Sequence, residues 1–267
     1  MCFKSHGTSE KDMDSSSLEE ARLKVYQDSL NNMVTVYNTQ KIVSIDGAAQ
    51  FSLEPEVYEA IENGAQRADQ AAYEEQVYYW YNWHDKVGRA CKADYETFVE
   101  VSNEAAGLNN YEDTGASWRD WYEDEKFEAN IDALWEEVKP LYSKLHGYVR
   151  FVMNQKYGDD YVKGGKAPIP SHIFGNMWAQ TWESIYPLVE PFDKAGVRPD
   201  ATPALEKMET IEMYKMSEQF FTSIGMWPMT QKFWDNSVIE KAPDVEMVCH
   251  ASAWDFMNGD GMRFVEV

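Results

Sequence analysis

Positive charge is scarce in this sequence. Lys and Arg number 24 against 46 Asp and Glu, a formal net charge of −22 at pH 7. Such a balance repels phosphate backbones and anionic lipid, so neither nucleic acid nor an anionic membrane is expected as a partner. It leaves a solvated acidic surface, or a preference for cationic or neutral ligands. Cysteine is scarce too, limited to Cys2, Cys91 and Cys249. An odd number at wide spacing makes neither a disulfide framework nor a zinc ribbon. No apolar run approaches the ~18–20 residues of a membrane span. The opening MCFKSHGTSEKDMDSSSLEE has no apolar stretch of the secretory type, so no signal peptide is expected. No Asn-x-Ser/Thr acceptor occurs, since Asn236 is followed directly by Ser237, with Val238 where the hydroxyl is needed. His6, His84, His146, His172 and His250 include no pair at i, i+4 and hence no helical zinc pair. G-x-S-x-G, Walker and dinucleotide glycine patterns are also missing.

What is present is helical periodicity. The chain is long enough for one or two domains with a real core. Residues 1–15 are polar and Ser-rich and are expected to be disordered, with residues 16–267 forming one helical domain. Ser15 to Ser17 ahead of Leu18, Glu19 and Glu20 read as a helix start, followed by a stripe of Leu18, Ala21, Val25, Leu30, Met33, Val36 and Tyr37 that Gly47 interrupts. Pro55 suits the first turn of a second helix carrying Val57, Ala60, Ile61, Ala65 and Ala68, with Gly64 a weak point or a close-packing site. YEEQVYYWYNWHDKVGRA then holds more aromatics than one helix face accepts, so it is buried on most sides or lines a cavity. Asn109-Asn110 and Gly115 mark a connection, and Ser117 is expected to cap a helix bearing Trp118, Trp121 and Tyr122. The clearest stripe is Phe127, Ile131, Leu134, Val138, Leu141, Leu145, Val149 and Val152, with a kink expected at Pro140. Residues 158–166 and 193–203 read as loops, and Leu205 to Phe221 form a further helical stripe closed by Gly225 and Pro228. Val245, Met247 and Cys249 alternate as a short strand, Asn258-Gly259 is a hairpin signal, and Met262 to Val267 form the return. The expected fold class is all-α with a small C-terminal β-hairpin.

Two stretches carry chemistry. In PIPSHIFGNMWAQTWESIYPLVEPF, from Pro168 to Phe192, the spacing of Met177, Trp178, Thr181, Trp182, Ile185 and Tyr186 predicts a buried helix. Asn176, Gln180 and Glu183 lie among those aromatics, either as amides bonded to backbone in a core or as the wall of a ligand cleft. In CHASAWDF, from Cys249, the small residues Ala251, Ser252 and Ala253 follow His250. They leave a strand open to an extended peptide, or pack beneath a helix.

PIPSHIFGNMWAQTW resembles a segment of the angiotensin-converting enzyme family, the zinc peptidyl-dipeptidases, and CHASAWDF matches a second segment in the expected order. WRDWYED at Trp118 to Asp124, FFTSIGMWP at Phe220 to Pro228 and FW at Phe233-Trp234 add to the likeness, which covers nearly everything after about Gln50. The family's zinc-binding HExxH does not occur in these residues. The resemblance implies the first part of a two-lobed, helical metallopeptidase that releases C-terminal dipeptides, with zinc and chloride as cofactors and a peptide with a free C-terminus as partner. It implies that Gln180 binds the substrate's C-terminal carboxylate, that His250 bonds a substrate carbonyl, and that the backbone of Ala251 and Ala253, with Ser252 between them, holds the peptide extended. Asn176 and Thr181 match cleft-lining positions. Tyr122 matches a tyrosine of a chloride site. His84 stands where the family commonly has an arginine that ligates another chloride, and a neutral imidazole is a poorer anion ligand. Cys249 matches a disulfide cysteine whose partner position falls at Val267. The family is extracellular or membrane-anchored. On this reading no catalytic residue and no metal ligand lies in the chain, which is expected to be an incomplete member, inactive and self-associating when alone. Two rival readings are a non-catalytic peptide-binding or decoy module and an acidic helical interaction protein.

Overall fold

The computed structural model describes residues 15, 17–165, 167–192, 201–239, 252–255 and 263–266. The fold is all-α with a small C-terminal β-hairpin, and it divides into two compact units, Met1–Pro191 and Phe192–Val267.

In the first unit, α1 (Glu20–Thr39) lies along the long α3 (Gln70–Leu108). α3 starts where Asp69 accepts a hydrogen bond from the Ala72 amide at 2.7 Å, satisfying a donor the first turn leaves free. Its inward stripe is Ala72, Gln76, Tyr79, Trp83 and Val87. Of the aromatic run, Tyr79 and Trp83 are buried, Tyr73, Tyr78 and Trp80 are half-buried, and Tyr81 is exposed. Arg22 of α1 ties the pair at the surface through Glu100 and Glu104. Between α1 and α3 stand a two-residue ladder and α2 (Tyr58–Arg67). In the ladder, β1 (Ile42–Val43) pairs antiparallel with β2 (Gln50–Phe51). Ser44 and Asp46 close its turn, the Ser44 hydroxyl donating to Asp46 at 2.6 Å and accepting from the Ala49 amide at 2.9 Å. This ladder is absent from the sequence reading. α2 buries Ile61 and Ala65, and Val57 just ahead of it is buried too, as the stripe predicts; Gly64 is a close-packing site, where a Cβ would meet Gln76 Cγ at 2.6 Å.

α4 (Thr114–Asp120) corrects one expectation. Its cap is Asp113, which accepts from the Ala116 amide at 2.7 Å, whereas Ser117 sits inside the helix and is buried. α5 (Phe127–Tyr157) runs through Pro140 as one helix and seats only its C-terminal part, through Val149, Met153 and Tyr157.

A second correction concerns Met177 to Tyr186, where no long helix forms. The chain makes 3-10 turns at Ser171–Phe174 and Glu183–Ile185, then the short α6 (Tyr186–Val189). Gly175 (φ +73°) and Ala179 (φ +53°) adopt left-handed backbone, which an α-helix cannot contain, and Asn176 bonds amides ahead of it instead of leaving them to a helical ladder.

The second unit holds α7 (Thr202–Leu205), α8 (Thr210–Ser223), α9 (Gln231–Asn236), and the hairpin of β3 (Ser252–Asp255) and β4 (Arg263–Glu266). α8 begins with a reciprocal capping box between Glu209 and Glu212 and ends at Gly225 (φ +91°). Ser252 pairs with Glu266 and Asp255 with Arg263. The strand expected at 245–249 and the Asn258-Gly259 turn lie outside the described residues, while β4 falls inside the expected return strand.

Candidate functional site

Residues 175–184 form a short surface loop locked at three points. Asn176 Oδ1 accepts from the amides of Trp178 (3.0 Å) and Gln180 (3.3 Å). The Trp182 indole donates to the Ala179 carbonyl at 3.3 Å, and the Ser184 hydroxyl donates to the Gly175 carbonyl at 3.4 Å. Buried side chains pin the loop from below. Met177 enters the core formed by Ile42, Leu53, Val57, Ile61, Tyr79, Trp83 and Val87. Phe174 and Ile185 enter a second core with Val149, Met153 and Ile173. Phe174 stacks on Trp182 with centroids 4.8 Å apart. Gly175 is required here, because a Cβ would lie 2.4 Å from Ser184 Cβ and 3.0 Å from Ala65 Cβ.

What the loop presents outward is Trp178, Gln180, Thr181 and Glu183, all exposed. Gln180 is therefore not a packed core amide. Its own backbone amide is taken by Asn176, so its side-chain amide is displayed on a fixed frame. Trp178 is 38% exposed and lies over an aromatic group. Tyr37 stacks on it at 6.4 Å, while Tyr58 and Trp83 meet it edge-on at 5.9 and 6.2 Å. Tyr37 and Tyr58 share a hydrogen bond, and burial raises both phenols above the usual tyrosine range.

Beneath the loop lies a polar bridge that sequence reasoning missed. The fully buried Gln76 donates through Nε2 to the Ile61 carbonyl (3.1 Å) and the His172 carbonyl (3.0 Å), joining α2, α3 and the 3-10 turn at Ser171–Phe174. The signal was available: Gln76 is the one polar member of the stripe Ala72, Gln76, Tyr79, Trp83, Val87. His172 is buried with its ring edge-on to Tyr73 at 4.5 Å, its Nε2 has no partner, and burial lowers its pKa to about 4.

The expected site residues fall in both units. Asn176, Gln180 and Thr181 belong to the first unit, and Ser252 and Ala253 lie in β3 of the second. Cys249, His250 and Ala251 fall outside the described residues. Tyr122 is largely exposed and stacks on Phe127 at 4.3 Å. The neighbouring surface pocket, about 870 Å³, is lined by two cations, Arg119 and Lys126, against Asp120, Glu123, Asp124, Glu125, Glu128 and Asp132. Arg119 is paired with Glu128 at 3.3 Å. These groups do not fit a chloride ion, which the carboxylates would repel. His84 hydrogen-bonds through Nδ1 with the Trp80 carbonyl at 2.8 Å. Among the described residues no three His, Cys, Asp or Glu gather to hold a metal ion, so these residues do not fit zinc. No helix among the described residues is long and apolar enough to cross a membrane.

A family model described as angiotensin-converting enzyme matches residues 4–266. The angiotensin-converting enzyme of Mus musculus is 40% identical over 250 residues, which are 92% of this chain and 18% of that protein. That of Haematobia irritans exigua is 41% identical over 215 residues, 80% of this chain and 34% of that protein. That of Theromyzon tessulatum is 35% identical over 258 residues, 94% of this chain and 40% of that protein. The chain thus spans less than half the length of each of these relatives.

Proposed function

Since this chain belongs to the angiotensin-converting enzyme family, we propose that it supplies substrate-positioning surface for a peptidyl-dipeptidase, a metallopeptidase that releases dipeptides from peptide C-termini. The observation that carries the reading is the exposed Gln180 amide on a loop locked by Asn176. A carboxamide carried on a backbone that Asn176 fixes is an available donor, and a peptide's terminal carboxylate is an acceptor that keeps its charge across the neutral range. Thr181 and Trp178 flank that donor with a hydroxyl and an apolar face. In the same reading, β3 offers backbone at Ser252 and Ala253 to an extended peptide, and His250 and Ala251 stand next to it in sequence. Tyr122 is proposed to serve a chloride only with cationic groups from outside this chain. The exposed apolar side chains of the first unit also favour self-association.

The test compares two forms of one peptide, free acid and C-terminal amide, for binding to the chain and to its Gln180→Ala variant. A hydrogen bond to a charged group contributes about 1.5–3 kcal/mol, so loss of the amide should weaken the free acid roughly ten- to a hundred-fold and leave the amidated form nearly unchanged. Equal affinities of wild type for both forms, or equal losses in the variant, would remove Gln180 from the carboxylate site.

A further inference from the structure

We propose that Gln76 is a positioning residue for the Gln180 donor: it fixes where the loop at 175–184 stands on α2 and α3, and so how well that loop meets a peptide's terminal carboxylate. The inference rests on the reading of Gln180 above and deepens it. Gln76 is fully buried in the inward stripe of α3. Its amide nitrogen donates twice, to the Ile61 carbonyl of α2 at 3.1 Å and to the His172 carbonyl at 3.0 Å. Two carbonyls at one atom settle which end of the amide is nitrogen, since an oxygen there would face two acceptors. One side chain of α3 thus ties α2 to the 3-10 turn at Ser171–Phe174, from which the loop starts.

α2 is shaped for this contact. A Cβ on Gly64 would lie 2.6 Å from Gln76 Cγ and 3.0 Å from its Cδ, so a side chain there displaces the amide. The next residue, Ala65, faces the loop itself: a Cβ on Gly175 would lie 3.0 Å from Ala65 Cβ. The loop closes on Gly175, whose carbonyl accepts from the Ser184 hydroxyl at 3.4 Å, so its two ends move together. Gln180 is held within that closure by Asn176, at 3.3 Å from its backbone amide. Phe174, Met177 and Ile185 hold the loop down by burial. Burial is non-directional, and it fixes depth better than register. Hydrogen bonds weaken steeply as their angle closes, and Gln76 supplies the ones that join α2, α3 and the turn.

The experiment labels the full chain with fluorotryptophan and follows the Trp178 signal, assigned from Trp178→Phe, by fluorine NMR. The Trp178 ring lies against Tyr37, Tyr58 and Trp83, so a displaced loop changes its surroundings. Gln76→Leu keeps the volume and loses both donors, whereas Gly64→Ala keeps the amide and pushes it off its carbonyls. Val101→Ala, in the separate cluster of Leu18, Val101 and Ala105, lowers stability without touching this region. Circular dichroism identifies the variants that fold. The Trp178 signal should move in Gln76→Leu and Gly64→Ala and stay in place in Val101→Ala. The same proteins then bind the free-acid and amide peptides. The first two variants should narrow the preference for free acid roughly three- to ten-fold, half on a logarithmic scale of what Gln180→Ala loses. In a Gln180→Ala background Gln76→Leu should change that preference no further, since the two act through one bond. An unmoved Trp178 signal or an unchanged free-acid preference in either folded variant overturns the proposal, as does an equal loss in Val101→Ala. A wild type that binds both peptides alike removes the carboxylate reading instead, and the fluorine signal then still decides whether Gln76 sets the loop.

Discussion

His172 is the residue where burial and ionisation conflict most directly. Its ring is enclosed, Nε2 has no hydrogen-bond partner, and desolvation lowers its pKa to about 4 from the ordinary 6.5. The unfolded chain therefore binds a proton between those two values and the folded chain does not. Stability contributed by the neutral ring is fully present above pH 6.5 and is lost as pH falls toward 4. The loss should be about 2 kcal/mol between pH 7 and pH 5, read as a shift in urea midpoint. His172→Gln removes the titrating group and should flatten the profile in that window. A variant whose profile still falls as steeply as wild type would place the acid sensitivity elsewhere. Gln76 offers a second test at this scale. Gln76→Leu keeps the volume but leaves the Ile61 and His172 carbonyls without their donor, an expected loss of about 1–3 kcal/mol in chemical denaturation.

At the scale of elements, the loop at 175–184 is where sequence periodicity misled. Met177, Trp178, Thr181, Trp182 and Ile185 satisfy a helical template, and Met177 and Ile185 are buried as it requires. They reach two different cores from a non-helical chain, because Gly175 and Ala179 take left-handed backbone and Asn176 collects the following amides. Periodicity counts burial and cannot see which core receives each side chain. The helix α2 was legible for the opposite reason: Ile61 and Ala65 of its stripe are both buried, so there the pattern and the packing agree. The β1–β2 ladder was missed although Asp46-Gly47 is a hairpin signal, since two residues per strand give no alternation to read. Gly175 tests the loop directly. Gly175→Ala adds a Cβ 2.4 Å from Ser184 Cβ at positive φ, an expected cost of about 2–4 kcal/mol from overpacking and left-handed strain. Gly47→Ala shares the positive φ (+76°) but meets nothing within 4 Å, and should cost only about 1–2 kcal/mol. Equal losses at the two glycines, measured by urea denaturation, would mean that the contact with Ser184 yields without cost.

At the scale of the whole molecule, charge is the dominant feature and was readable from composition alone. The site was legible only in part. Gln180 was identifiable from its motif, but its exposure depends on the Asn176 lock and its support on Gln76, and both are long-range facts of packing. Net charge needs no such context. With 46 acidic against 24 basic residues, folding gathers 22 excess negative charges into a compact volume, and their mutual repulsion destabilises the native state relative to the expanded chain. Ion pairs such as Lys24–Asp28 and Arg89–Asp85 are at the surface and offset little of it. Salt shortens the Debye length from about 30 Å at 0.01 M to about 8 Å at 0.15 M, which screens the long-range repulsion. Added sodium chloride should therefore raise the melting temperature, by on the order of 5 °C across that range. The measurement belongs above pH 7, where His172 is neutral in both folded and unfolded chains and contributes no slope. A melting temperature that stays level or falls with salt would show that local pairs such as Arg22 with Glu100 and Glu104 outweigh the net repulsion.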